Sequence, residues 1–88
     1  MIMQLFSIYD SASGLFGRPM FMVSRGQAVR SFTDEVNRND PQNDLYKHPS
    51  DFTLYHLGAF DDADGSFNLV KPDAVIRGVD ASLSTKEQ

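Results

Sequence analysis

The sequence predicts an α+β domain: a four-stranded antiparallel sheet in ββαββ order with one main helix packed on one face. Three observations carry this. Residues 24–39 bear an apolar stripe at helical spacing behind a capping signal. Residues 52–60 and 67–70 are two strand-like runs joined by an acidic, glycine-closed turn. Residues 2–9 open the chain with a run that is apolar on both alternating faces.

Taken in order, Gln4, Phe6 and Ile8 fall on one face of the first run, and Met3, Leu5, Ser7 and Tyr9 on the other. Apolar residues on both sides mark a central strand. Asp10 to Gly14 and Gly17-Arg18-Pro19 are breaks, with Leu15 and Phe16 an apolar loop tip between them. Met20 to Val23 reads as a second short strand, and Pro19 suits its first residue, where the missing N–H costs least. The two strands are expected to pair antiparallel through the 10–18 loop. Ser24 is the N-cap of the helix, and Gln27 completes a capping box. Ala28, Val29, Phe32 and Val36 form its stripe; Arg25, Arg30, Asp34, Glu35 and Arg38 lie off it. Arg38 suits the negative end of the helix dipole, and Pro41 bars continuation. Residues 41–50 are a polar connection anchored by Leu45 and Tyr46. In the next strand, Phe52, Leu54, His56, Gly58 and Phe60 share one face; Thr53, Tyr55, Leu57 and Ala59 take the other. Asp61 to Gly65 is a turn, and Phe67 to Val70 returns, with Phe67 and Leu69 on one side.

The ββαββ domain is expected to span 1–70, with 71–88 a C-terminal tail. In the tail Val75, Val79 and Leu83 recur at four-residue steps, as on a short helix, while Gly78 works against one. A tail whose end, Ser82 to Gln88, is so polar is expected to be a short helix or to pack against a partner.

Eighty-eight residues make one small domain with a limited core. Once the helix covers one sheet face, Met3, Leu5, Tyr9, Tyr55 and Leu57 remain for the opposite one. A bare apolar face marks a partner surface, most simply in a homodimer. The absence of cysteine excludes a disulfide scaffold and a thiolate metal site. The N-terminus lacks the basic region of a secretory signal, and no apolar run approaches the roughly 20 residues that span a bilayer. A soluble intracellular protein with no membrane partner is expected.

No catalytic constellation is visible, so no enzyme, cofactor or metal is expected. Asp62-x-Asp64-Gly65 echoes a calcium loop, but Phe60 stands at the first ligand position and no Glu follows before Glu87. Hairpin turn geometry accounts for these residues instead. His48 and His56, the two histidines, lack the partners of a zinc or nucleophile site and read as structural. No phosphate-cradling glycine motif is present.

The net charge of -4 is uneven: residues 18–39 carry +2, residues 40–88 carry -5. An acidic chain repels polyphosphate at long range, while a local arginine face can still hold it. Arg18, Arg25, Arg30, Arg38 and Lys47 are the candidate phosphate contacts. Tyr46, with Tyr9, Phe16 and Tyr55, could stack bases.

Four segments also carry a resemblance, in order and spacing: Phe6-Ser7-Ile8-Tyr9-Asp10; Ser24 to Asp34 (SRGQAVRSFTD); Lys47 to Leu54 (KHPSDFTL); and Leu57-Gly58-Ala59-Phe60-Asp61-Asp62. Over roughly residues 5–70 the chain resembles the small non-structural protein of gokushovirus-type microviruses, tailless icosahedral single-stranded DNA phages. The resemblance implies single-stranded DNA binding, genome packaging or the switch from replication to packaging, in the host cytoplasm. It assigns no catalytic or binding residue. The alternative is a protein–protein module that engages a phage or host protein, modulating replication or capsid assembly without touching DNA.

Overall fold

Strand β1 (Ile2–Asp10) is the spine of the molecule. A computed structural model describes residues 1–83. On one side β1 pairs with β2 (Leu15–Phe16) and β3 (Met20–Met22), on the other with β4 (Phe52–Asp61), which pairs with β5 (Ser66–Arg77). All pairings are antiparallel, and the order is β2-β1-β4-β5 with β3 beside β1. The α+β class and the single main helix match the sequence expectation. The fifth strand arises because Leu15 and Phe16, expected as a loop tip, pair with Asp10 and Tyr9.

Helix α1 (Arg25–Val36) begins where expected, with the Ser24 side chain accepting from the Gln27 N–H. The Gln27 side chain returns the bond to the Val23 N–H, one residue before the cap. The helix stops three residues short of the expected Asn39, well before Pro41. Asn37 ends it: Nδ2 donates to Thr33 O and Ala81 O, and Oδ1 accepts from the Leu83 N–H. Buried Asn43 caps the short helix α2 (Asp44–Lys47), donating from Nδ2 to Glu35 O and Arg38 O. The 41–50 connection is thus held to the end of α1. A turn of 3-10 helix, Pro49–Asp51, leads into β4.

Ala28, Phe32 and Val36 of α1 pack on Phe6, Phe52 and Leu54 of the sheet, with Ile8, Met20, Met22, Val29 and Ile76 around them. This is one covered face. Ala81 of α3 (Gly78–Ala81) joins the same core. The tail therefore differs from the helix expected at four-residue spacing. Val75 lies in β5, which runs through Lys71 to Arg77, and only Val79 is helical within α3. Cross-strand pairing with β4 supplies hydrogen bonds that a glycine-weakened helix could not match. Of the polar end of the tail, residues 84–88 lie outside the described residues.

The two hairpin turns share one design. In each, the Asp carbonyl accepts from the glycine N–H four residues on: Asp10 to Gly14 and Asp61 to Gly65, both 2.8 Å. In each, the Asp Oδ1 accepts from an alanine N–H, Ala12 or Ala63. Both glycines have positive φ, 74° and 76°, which a side chain would strain. Asp64 accepts from Ser66, and Asp62 binds the Met1 amino group, so the acidic turn spends its carboxylates on its own chain.

Candidate interaction face

The expected alternation along β4 breaks at Leu57. Phe6 pairs with His56, but Leu5 pairs with Gly58, leaving Leu57 as an extra residue. This β-bulge moves everything beyond it to the other side. Phe60 does not share a face with Phe52 and Leu54; it pairs with Met3 and Phe67 on the side away from α1. Ala59 pairs with Gln4 on the helix side and leaves the face of Tyr55. Gly58 makes the crossing possible. Its φ is +142°, and a Cβ would press on the Asn68 carbonyl and lie 2.8 Å from Leu69 Cα.

The ladders then lay out a second, uncovered face. Met3, Leu5, Ser7 and Tyr9 of β1 stand beside Phe21 and Phe16 on one flank. On the other stand Phe60, Gly58, Tyr55 and Thr53 of β4, then Phe67, Leu69 and Ala74 of β5. Two ring clusters dominate. Tyr9, Phe16 and Tyr55 have centroids 4.9 to 6.1 Å apart. Phe21, Phe60 and Phe67 follow at 5.6 and 4.8 Å. Tilted and edge contacts at these spacings are favourable, yet Phe16 and Phe21 are 45% exposed, Phe67 55% and Leu69 66%. Buried Ser7, in the middle, donates to Gly17 O at 2.7 Å and so adds no free polar group.

Of the residues expected at an assembly surface, Met3, Leu5, Tyr9 and Tyr55 share this face, although Leu5 is buried by its neighbours. Leu57 sits at the bulge. Pairing reveals Phe21, Phe60, Phe67 and Leu69 as further members; the sequence signal for Phe60 was Gly58, a strand glycine that marks a bulge.

The expected basic residues do not converge. Arg25 opens α1 and Arg38 lies two residues beyond its end, so the length of the helix, about 18 Å at 1.5 Å per residue, separates them. Arg25 lies 3.6 Å from Asp73, and Lys47 3.9 Å from Asp44. Arg38 bonds Glu35 and Asp40 at 2.6 and 2.7 Å. The Gln42 N–H and then Arg38 hold the Asp40 carboxyl below its ordinary value. Half-buried Tyr46 lies in α2, apart from both ring clusters. Among the described residues, Arg18, Arg30 and Lys71 make no ion pair. Arg18 sits between Phe16 and Phe21 in the chain, on one edge of the open face; Lys71 lies on β5, the opposite edge.

His56 Nε2 lies 2.9 Å from Gln4 Oε1, and its ring packs on Phe6 at 5.1 Å. Asp10, Asp44, His48 and Asp51 line a cleft of about 150 Å³. Among the described residues, no three His, Asp or Glu side chains come together to hold a metal ion. No helix among them is long and apolar enough to cross a membrane.

Fold and face together define a small α+β protein with an exposed aromatic sheet surface. The sequence model of the family described as Phage ORF5 protein matches residues 3–81, and the chain belongs to that family. It is a phage protein. No curated protein and no solved structure matches it.

Proposed function

We propose that this chain is a non-enzymatic accessory of a microvirus-type phage that binds single-stranded DNA on its open sheet face, in the service of genome packaging in the host cytoplasm. The carrying observation is the pair of exposed ring clusters, Tyr9/Phe16/Tyr55 and Phe21/Phe60/Phe67. Bases stack on such rings without regard to sequence. Arg18 and Lys71, in no ion pair among the described residues, flank them for phosphate contact. The resemblance to gokushovirus proteins supports DNA as the ligand. This assignment moves the binding surface from the helix arginines to the sheet.

Stacking, rather than charge, does most of the binding in a chain of net charge -4. With two or three phosphates neutralised, the slope of log K against log salt is shallow, about -1.4 to -2.1. Fluorescence anisotropy with a labelled oligo-dT at low salt tests this. Phe16→Ala and Phe67→Ala are each expected to weaken binding about 5- to 150-fold, from a stacking value of about 1–3 kcal/mol per base. No binding at low salt, or binding indifferent to both substitutions, overturns the proposal. The acidity favours one second reading, a module for a phage or host protein. Retention of such a protein by the wild type but not by the two variants, without DNA binding, supports that reading.

A further inference from the structure

The outer edge of β5, a strand of 12 residues, is an open backbone edge among the described residues. β5 ends the strand order, and among the described residues only β4 pairs with it. An edge of this kind is a template for another strand unless charge or proline blunts it. Lys71, Pro72 and Asp73 blunt its middle, and Arg25 of α1 reaches Asp73 there. The preceding stretch, Ser66 to Val70, carries no charge. It is exposed throughout, with Phe67 55%, Leu69 66% and Val70 47% accessible.

We propose that Ser66–Val70 pairs antiparallel with the same stretch of a second copy, about a two-fold axis at Asn68. Only this register joins the observations. It sets Phe67 beside Leu69 of the partner subunit and Ser66 beside its Val70, so no charge enters the ladder. It leaves Pro72, which has no N–H to give, outside the pairing. It also brings Lys71, in no ion pair among the described residues, next to the acidic turn at Asp64 and Gly65 of the partner subunit. An axis at Pro72 would place two prolines opposite each other. An axis at Val70 would set Leu69 against a lysine and Phe67 against an aspartate. A second copy is the occupant because the stretch complements itself, as an isologous contact requires. The pairing joins two five-stranded sheets into one and sets the two aromatic faces side by side. The dimer stands independently of the DNA reading; the joined surface rests on it.

The chain has no cysteine, so a single one reports directly. Residues facing each other across an antiparallel pair have Cα atoms about 4.5–5.5 Å apart, within disulfide reach. Asn68→Cys, oxidised at micromolar concentration, is expected to run as a covalent dimer. Ser66→Cys is not, its partner being some four residues away along the strand. Asn68→Asp sets two carboxylates at the axis and is expected to weaken dimerisation at least tenfold in sedimentation equilibrium. Asn68→Lys is expected to do the same, and an equimolar mixture of the two to dimerise again. Asn68 is exposed, so circular dichroism should show all variants folded. A monomer at every concentration, or cross-linking of Phe21→Cys in preference to Asn68→Cys, overturns the proposal. Oligo-dT binding by the dissociated Asn68→Asp protein, lost with Phe16→Ala, keeps the fate of the DNA reading separate.

Discussion

The covered and open faces of the sheet come from the same strands and differ in what lies over them. On the covered face, Phe6 and Leu54 are fully buried beneath Phe32 and Val36. On the open face, residues of the same apolar character, Phe16, Phe21 and Phe67, stay about half exposed. Apolar burial contributes about 25 cal/mol per Å² removed from water. One face therefore spends its hydrophobicity on folding; the other leaves it at the surface.

The largest expected effect tests that division. Leu54→Ala should cost about 3–4 kcal/mol, because its neighbours are held by both sheet and helix and cannot collapse into the cavity. In a domain this small that is a large share of total stability. Phe21→Ala, on the open face, should cost only about 1 kcal/mol. Urea denaturation of both variants compares them directly. Equal losses would mean that Phe21 is core and the open face is not a surface held for binding.

The bulge comes next, because it decides which residues sit on which face. Gly58→Ala adds a Cβ that meets the Asn68 carbonyl and asks alanine to adopt a φ of +142°. A destabilisation of about 2–3 kcal/mol is expected. If the strand relieves the strain by losing the bulge, Phe60 slips to the covered side. Amide exchange across the β1–β4 ladder would then change beyond Leu57 and not before it. Wild-type stability would show that the backbone does not pass so close to β5.

These two positions show what local sequence can and cannot carry. The alternation of Gln4, Phe6 and Ile8 against Met3, Leu5 and Tyr9 held, since β1 is regular on its own side. Ser24, Gln27 and the Ala28/Phe32/Val36 stripe located α1, because caps and stripes are local. Beyond Leu57 the parity failed, since a bulge belongs to the ladder between two strands and leaves only a glycine in the text. Val75 and Val79 misled for the same reason: four-residue spacing says nothing about a β4 strand waiting to pair. For the face, Tyr9, Phe16 and Tyr55 were legible one by one as stacking residues. Their convergence depends on Phe16 pairing with Tyr9, a long-range fact. The arginines cluster in sequence, while in space they spread out and acidic neighbours take two of the four, Arg25 and Arg38.

A smaller effect concerns the helix that creates the covered face. Ser24→Ala removes the acceptor of the Gln27 N–H at 3.1 Å and should cost about 1 kcal/mol. Gln27→Ala should cost less, since it frees only the exposed Val23 N–H, which water can satisfy. Thermal melts of the two variants and their combination would show whether the bonds act together. If Ser24→Ala alone has no effect, α1 is held by its stripe and the cap is incidental.

The smallest expected effect is on pH. The Ser66 hydroxyl and N–H hold the Asp64 carboxyl below its ordinary value of 3.8, as Gln42 and Arg38 do for Asp40. A depressed carboxylate binds protons more weakly folded than unfolded, so its stabilisation is complete above the unfolded value and fades as pH falls through the folded one. Both groups lie at the surface, in the turn of the β4–β5 hairpin and beyond the end of α1, where water screens them. The loss is therefore slight and confined to pH below about 4. Asp64→Asn tests it cleanly, since its amide oxygen can still accept from the Ser66 N–H while the charge is gone. The variant should melt slightly below wild type at neutral pH, and the gap should close as the pH falls below the ordinary carboxyl value of 3.8 and the carboxylate is protonated. A gap that stays constant with pH would assign the difference to turn geometry rather than to the charge of Asp64.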